Sequence, residues 1–180
     1  MNKVLVVFAE GSEELEAISI VNILRRAGIA VTLAGLEAGA LRGSRGVVLM
    51  PDTTLDEALQ EEYDMIVLPG GQPGTDHLKA DARVLKLTQQ MSKQDKFVAA
   101  ICAAPSVLAT AGLLDSKNAT SYPGTLGSFP KVKLQNAAVV EDGRIITSRG
   151  PGTAMDFALT LVERLVGHVK RQEVEAGLQR

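Results

Sequence analysis

The chain has 180 residues, 46% of them hydrophobic, which predicts one globular domain spanning residues 1–180. A net charge of −2 and an aromatic content of 3%, without tryptophan, exclude a basic or base-stacking surface for nucleic acids. The single cysteine excludes an internal disulfide. Because no apolar run reaches the ~20 residues of a membrane span and the N-terminus lacks the features of a signal peptide, we expect a cytoplasmic protein without membrane partners.

The first third of the chain alternates aliphatic strands with one amphipathic helix. The apolar run over 3–9 predicts a strand that is buried on both faces. The helix that follows has Ser12 as its predicted N-cap and ends at Gly28. Aliphatic runs over 30–36 and 47–50 predict two further strands.

The middle of the chain repeats this alternation. The run over 63–71 predicts a buried strand that leads into a pair of glycines, and the spacing after it predicts a helix over 78–93. A strand is predicted over 97–101. Pro105 suits the first turn of the next helix, for which Gly112 is the predicted stop.

The C-terminal third adds a hairpin and a long helix. Asp142–Gly143 between two aliphatic runs predicts a β-hairpin, and Thr153 with Asp156 predicts a capping box. The alternation of strands and helices favours an α/β fold with a mostly parallel sheet and helices on both faces. Since ligands bind beyond the carboxyl ends of such strands, the segments that follow them should share one functional rim.

Cys102 lies where a buried strand meets a helix. A lone cysteine is most often a small buried hydrophobic residue, and the residue type alone leaves that interpretation open. The strand–turn–helix position, with the small Ala103 beside it, favours a nucleophile elbow instead. A helix start contributes about 1 kcal/mol and so lowers the thiol pKa of about 8.5 by about one unit. A reactive thiolate therefore needs a partner.

The most suitable partner for this thiol is a carboxyl group. Nothing in the sequence places His77 or His168 beside Cys102. Three acidic residues open the first helix on the same rim, and Glu16 lies at the edge of its buried face. Glu16 is either a solvated acid that stabilises the helix dipole or a buried, protonated donor to the sulfur. Metal and nucleotide motifs are absent from the sequence, so we expect no metal and no cofactor.

Five segments of the chain resemble, in order and spacing, the motifs of the ThiJ/PfpI superfamily. They are most similar to the branch that contains the parkinsonism-associated deglycase and the bacterial YajL-like proteins. The similarity spans almost the whole chain. Its segments are GSEELEAISIVNILRRAGI, SRGVV, YDMIVLPGG, VAAICAAPSVLA and TSRGPGTAMDFAL.

The resemblance implies a flavodoxin-like three-layer sandwich that forms homodimers. It implies that Cys102 is reactive and readily oxidised, and that a protonated Glu16 donates a hydrogen bond to its sulfur. It also implies a small-molecule carbonyl substrate or a glycated protein as the partner.

The resemblance assigns further residues around the thiol. Backbone N–H groups of Gly71 and Ala103 would form an oxyanion pocket, and Gly70 would shape the turn. Arg45 would lie near the pocket mouth, and Arg26 would reach across the dimer interface.

Two positions depart from the family pattern. Many members carry a histidine either directly after the cysteine or in a later segment that ends in HP, where this chain has Ala103 and Tyr122. With a reference pKa of about 10, tyrosine is a poor base at neutral pH. Tyr122 is therefore expected to shape the pocket, and peptidase activity through a Cys–His dyad is not expected.

The resemblance implies a cofactor-independent enzyme of carbonyl stress. Its substrates would be α-oxoaldehydes such as methylglyoxal and glyoxal, or their early adducts, and it would act as a glyoxalase or a protein or nucleotide deglycase. The alternative is a redox-sensing stress protein or chaperone that works through oxidation of Cys102 without turnover. A third interpretation is a structural cysteine in a non-catalytic domain. Because one pocket serves the first two functions, the motifs do not separate them.

Overall fold

The structure is a computed structural model that describes residues 2–180. Strands and helices alternate along most of this range. In chain order the elements are β1 (Lys3–Phe8), α1 (Glu14–Arg26), β2 (Ala30–Gly35), β3 (Leu41–Arg42), β4 (Val48–Leu49), β5 (Thr53–Thr54), α2 (Leu55–Ala58), β6 (Met65–Leu68), α3 (Gly74–Ala80), α4 (Ala82–Lys93), β7 (Phe97–Ile101), α5 (Pro105–Thr110), β8 (Asn118–Ala119), β9 (Lys133–Leu134), β10 (Val139–Asp142), β11 (Ile145–Ser148), α6 (Ala154–Val166) and α7 (His168–Gly177).

A seven-stranded sheet in the order β10-β11-β7-β6-β1-β2-β5 forms the centre of the molecule. All neighbouring strands in it are parallel except β10 and β11, which are antiparallel. The β10–β11 hairpin turns at Gly143–Arg144, one residue later than the predicted Asp142–Gly143, and Gly143 has the positive φ of 65° that such a turn requires. The predicted α/β fold with one hairpin is confirmed.

Helices cover both faces of the sheet because successive side chains of each buried strand point to opposite sides. Val4 and Val6 of β1 belong to the aliphatic layer formed with α1, α6 and α7. Leu5 and Val7 belong to the opposite layer, formed with α2, α3, α4 and α5. The result is the expected three-layer sandwich. Among residues 2–180, no helix has the length and apolar character needed to span a membrane.

The predicted helix over 78–93 is in fact two helices. Asp81 between α3 and α4 has an extended backbone, and its side chain accepts hydrogen bonds from the backbone N–H and guanidinium of Arg83. An aspartate that caps the second helix competes with continuation of the first, so the chain breaks there.

Two predicted helix caps are wrong, whereas the predicted helix ends are confirmed. Glu13 rather than Ser12 caps α1, by accepting a hydrogen bond from the N–H of Leu15. Thr153 makes no side-chain cap on α6, because its hydroxyl is bonded to Ser148 and Gly150. Three other expectations hold: Gly28 follows α1 with a positive φ, Pro105 begins α5, and Gly112 follows α5 with a positive φ.

The strand predicted over 47–50 is shorter and lies outside the main sheet. Its residues Val48–Leu49 form β4, which pairs antiparallel with β3. This small ribbon carries the loop with Arg45 towards the N-terminal end of α1, where the backbone of that loop bonds to Glu14.

Candidate active site

Cys102 forms a tight elbow between β7 and α5. Its φ of 64° is in the left-handed region, which a residue with a side chain adopts only when the surrounding structure holds it there. Two backbone hydrogen bonds supply that restraint: the Cys102 N–H donates to the carbonyl of Ser148 at 2.9 Å, and the Cys102 carbonyl accepts from the N–H of Tyr122 at 2.7 Å. The thiol is thereby fixed at the carboxyl end of β7, as predicted.

The glycine pair after β6 leaves room for this elbow. A Cβ at Gly70 would lie 2.6 Å from the Cβ of Cys102. Gly71 has a φ of 86°, and a Cβ there would lie 2.4 Å from the backbone nitrogen of Glu13. The predicted role of Gly70 in shaping the turn therefore has a physical basis in the close approach of the two segments.

The backbone N–H groups of Gly71 and Ala103 each lower the pKa of the Cys102 thiol, because an N–H donor favours the ionised form of the sulfur. The two donors that the family resemblance implies as an oxyanion pocket therefore both act on the reactive atom.

Glu16 is completely buried next to this thiol. Its Oε2 accepts a hydrogen bond of 2.7 Å from the N–H of Gly70, whereas its buried Oε1 has no hydrogen-bond partner among residues 2–180. Burial raises the pKa of Glu16 to about 7, and the hydrogen bond from Gly70 and the neighbouring Cys102 thiol only partly offset that rise. Glu16 is thus the buried acid of the two sequence-based alternatives.

The pKa of Cys102 shifts in the direction opposite to the one expected from a helix start. Burial raises it to about 12, and the negative charge of an ionised Glu16 adds to that rise. Helix α5 has only six residues, and its dipole is too weak to overcome burial. The repulsion disappears when Glu16 holds a proton, so the two groups titrate as a pair that favours a single negative charge.

A cavity of about 390 Å³ opens over the thiol. It brings together Cys102 and four of the residues suggested by the sequence, namely Gly71, Ala103, Arg45 and Tyr122. The sequence analysis did not assign the remaining lining residues to the pocket. They are Glu13, Ser44, Gln72, Thr125 and Pro151.

Comparison with known proteins fits this geometry. The model of the DJ-1/PfpI family matches residues 2–164. Protein dj-1beta of Drosophila melanogaster is 44% identical over 177 residues, covering 97% of this chain and 95% of that protein. Its crystal structure superposes with a TM-score of 0.96 at 42% identity, covering 99% and 97% of the two chains. The chain belongs to the DJ-1/PfpI family.

Two other members of the family bear on its chemistry. The glutathione-independent glyoxalase DJR-1.2 of Caenorhabditis elegans is 34% identical, over 89% of this chain and 87% of that protein. The structure of an oxidized DJ-1 from Toxoplasma gondii is similar at a TM-score of 0.96 and 39% identity, over 99% and 98% of the chains.

This DJ-1/PfpI site contains no histidine. His77 and His168 are both exposed: His77 bonds to the carbonyl of Glu10, and His168 lies beside Glu163. Tyr122 is half exposed and lines the cavity. Without a histidine, the groups that can carry protons to and from Cys102 are Glu16, the cavity-lining Glu13 and water.

Arg26 does not line this cavity. It lies in the last turn of α1, at the opposite end of the helix from Glu16, and its Nε donates to Asn22. Its suggested role across a dimer interface stays a prediction, as do the homodimer and the cytoplasmic location.

Arg45 is positioned by a carboxylate that sequence analysis did not assign to a role. The buried Glu14 accepts hydrogen bonds from the backbone N–H groups of Arg45 and Val47, at 3.0 and 3.1 Å from its Oε1. Burial alone would raise the pKa of Glu14, but these N–H groups lower it below its ordinary value. Glu14 is therefore an ionised clamp on the loop that forms one wall of the pocket.

Replacement of Gly70 by alanine should misplace the thiol. We expect Gly70→Ala to slow alkylation of Cys102 by iodoacetamide about tenfold, because relief of an overpacked contact costs on the order of 1–3 kcal/mol. Gly177→Ala is the matched control, since its added methyl group meets nothing within 4 Å. An unchanged alkylation rate in Gly70→Ala would contradict the assigned packing.

The raised pKa of Glu16 should make stability depend on pH. The unfolded carboxyl loses its proton near pH 4.5, whereas the folded one keeps it to about pH 7. The native state then binds more protons in this window, so this group's contribution to the free energy of unfolding falls as pH rises. The total fall is on the order of 3 kcal/mol at about 1.36 kcal/mol per pKa unit.

Urea denaturation of the wild type and Glu16→Gln isolates this contribution, because the amide does not titrate. The unfolding free energy of the wild type minus that of Glu16→Gln should decline steadily between pH 4.5 and pH 7. A difference that stays constant over this range would show that Glu16 titrates normally.

Proposed function

We propose that the protein is a cofactor-independent cysteine enzyme that acts on α-oxoaldehydes such as methylglyoxal and glyoxal, or on their early adducts with amines and thiols. The observation that carries this proposal is the pairing of Cys102, which lines an open cavity beside the N–H groups of Gly71 and Ala103, with the fully buried Glu16. The glyoxalase name of the Caenorhabditis elegans relative supports the same class of reaction.

The first step forms a bond between the Cys102 sulfur and the aldehyde carbon. The sulfur attacks as a thiolate while Glu16 holds the proton, which is one of the two arrangements of a pair carrying a single charge. The carbonyl oxygen takes up the negative charge and accepts hydrogen bonds from Gly71 and Ala103. Glu16 then donates its proton to this oxygen, which leaves a neutral hemithioacetal and a free carboxylate.

The second step is an internal redox reaction. The Glu16 carboxylate removes the hydrogen of the former aldehyde carbon as a proton and returns it to the neighbouring carbon, which was a ketone, while the hydroxyl proton of the first carbon passes to the oxygen of the second. The first carbon is thereby oxidised to a thioester and the second reduced to an alcohol, with no external electron acceptor. Water hydrolyses the thioester, so methylglyoxal and water yield lactate. With an adduct as substrate, the Cys102 sulfur displaces the amine or thiol from that carbon in the first step, and the displaced group leaves with the proton of Glu16.

A pKa of about 7 suits Glu16 to this double role. A group whose pKa is close to the operating pH both gives and takes protons efficiently. Since neither histidine of the chain lines the cavity, the reaction assigns both proton transfers to one carboxyl group.

The purified protein should convert methylglyoxal to lactate without any added cofactor. Cys102→Ser should abolish lactate formation, and Glu16→Gln should lower kcat at least about 100-fold, because the amide cannot accept the proton. Lactate is measured directly, and Ser92→Ala, at a half-buried position outside the cavity, is the control. Lactate formation by Cys102→Ser at the wild-type rate would refute the enzyme proposal.

A redox-sensing function is the second candidate. It is favoured by the single thiol at the base of an open cavity and by the oxidized relative from Toxoplasma gondii. Two equivalents of hydrogen peroxide would convert the Cys102 thiolate to a sulfinate and form two waters. The protonated Glu16 would then donate a hydrogen bond to the new oxygen.

Dilute peroxide should add two oxygen atoms to Cys102 and stop there. We expect mass spectrometry to show this product in the wild type, and faster further oxidation in Glu16→Leu, which lacks the donor. Glu16→Gln retains an N–H donor and should behave more like the wild type. A thiol that stays unmodified under these conditions would argue against the sensor function.

A further inference from the structure

The cavity over Cys102 adjoins two others on the far side of Tyr122. One has a volume of about 290 Å³ and the other about 330 Å³, and Tyr122 lines all three. Pro151 also lines both the Cys102 cavity and the smaller of its neighbours. We call the two neighbouring cavities together the Arg149 recess, after the arginine that lines both.

The Arg149 recess is lined by one cationic side chain and no carboxylate. Besides Arg149 its lining consists of small, polar and apolar residues, among them the exposed amide of Asn136. The guanidinium of Arg149 makes no hydrogen bond or ion pair with any residue in the described range 2–180. By contrast, Arg83, Arg164 and Arg171 each pair with a carboxylate.

The backbone that carries Arg149 is held rigidly by its neighbours. Its N–H donates to the carbonyl of Ala138 at 3.3 Å, and the preceding Ser148 hydroxyl donates to the same carbonyl at 2.7 Å. The hydroxyls of Ser148 and Thr153 lie 2.7 Å apart across the turn. Because the backbone at Arg149 is already fixed, only the side chain has to become ordered when an anion binds.

The same turn connects the recess to the reactive thiol. The carbonyl of Ser148 accepts the hydrogen bond from the Cys102 N–H that helps to hold the elbow in place, and Arg149 directly follows Ser148 in the chain. A substrate held by its carbonyl at Cys102 would therefore extend past Tyr122 towards Arg149.

We propose that the Arg149 recess binds an anionic group, a carboxylate or a phosphate, on the part of an adduct that lies beyond the reacting carbonyl. This inference deepens the proposed function and rests on it: the preferred substrates are adducts of α-oxoaldehydes with anionic thiols or amines. Free methylglyoxal carries no such group and leaves the recess unused. Arg149 supplies a charge-assisted, two-pronged donor that suits both oxyanions.

Two matched pairs of thiols test the proposal and distinguish the two oxyanions. Hemithioacetals of methylglyoxal with N-acetylcysteine and its neutral amide compare a carboxylate with no charge. Those with 4′-phosphopantetheine and pantetheine compare a phosphate with no charge. The wild type should favour the anionic member of at least one pair about tenfold in kcat/KM, a factor that corresponds to about 1.4 kcal/mol.

The ratio of kcat/KM between the anionic and the neutral member of each pair, measured in three variants, shows which residue causes the preference. Arg149→Gln should reduce the ratio to about one, and Arg149→Lys, which keeps the charge, should restore part of it. Arg45→Gln is the matched control, because it removes a cation from the Cys102 cavity instead and should leave the ratio unchanged. The proposal is overturned if the wild type shows no preference, or if Arg45→Gln rather than Arg149→Gln removes it.

Alkylation of Cys102 tests the recess independently of turnover. N-(4-carboxyphenyl)maleimide and N-(4-carbamoylphenyl)maleimide have the same size and differ in charge. The carboxylate should react faster with the wild type, and Arg149→Gln should abolish that difference while Arg45→Gln preserves it. If no substrate is turned over but this pattern holds, the proposed reaction fails and the recess stands. If substrates are turned over and neither pair discriminates by charge, the recess fails and the reaction stands.

Discussion

The burial of one carboxyl group determines the chemistry around Cys102. Glu16 has no contact with solvent, and only one of its oxygens is bonded, to the N–H of Gly70. A carboxylate in that position lacks the hydrogen bonds that would stabilise its full charge, so the group keeps its proton to about pH 7. The adjacent thiol is buried as well, and the pocket favours one negative charge shared between them.

The backbone around this pair has few alternatives. Cys102 is strained, and the hydrogen bonds to Ser148 and Tyr122 hold it in place. Gly70 must lack a side chain so that the two loops approach, and that approach brings the N–H of Gly71 to the sulfur. The strain, the glycine pair and the buried acid are therefore parts of a single arrangement, in which each part depends on the others.

Sequence patterns predicted the layers of the fold because burial leaves a periodic signal. The apolar run of β1 places Val4 and Val6 in one layer and Leu5 and Val7 in the other, which a strand period of two requires. The break at Asp81 was missed because the same apolar spacing continues across it. Thr153 was assigned as a cap because its pattern is local, whereas its actual partner, Ser148, belongs to the preceding strand.

In the candidate site, too, the features set by local sequence were predicted and those set by distant contacts were not. The position of Cys102 after a strand and that of Glu16 at the edge of a helix face made both residues candidates, since each is a local property, and the family resemblance selected them as a pair. The direction of the thiol pKa was wrong, because burial depends on elements that are distant in sequence. The ionised clamp at Glu14 also left no local signal, since its partners Arg45 and Val47 lie in a separate loop.

Because no histidine lines the pocket, no imidazolium is available there to stabilise the negative charge of the Cys102 thiolate. In a Cys–His pair the imidazolium stabilises the thiolate by opposite charge, whereas a protonated carboxyl stabilises it only by donating a hydrogen bond. The thiolate here is consequently disfavoured by any further negative charge brought beside it, and the cavity is already lined by the carboxyl group of Glu13. Arg149 lies in the neighbouring recess, so an anionic substrate could bind there without placing its charge against Glu16. A buried acid thus restricts the reacting end of the substrate to a neutral carbonyl and leaves the outer end free to carry charge.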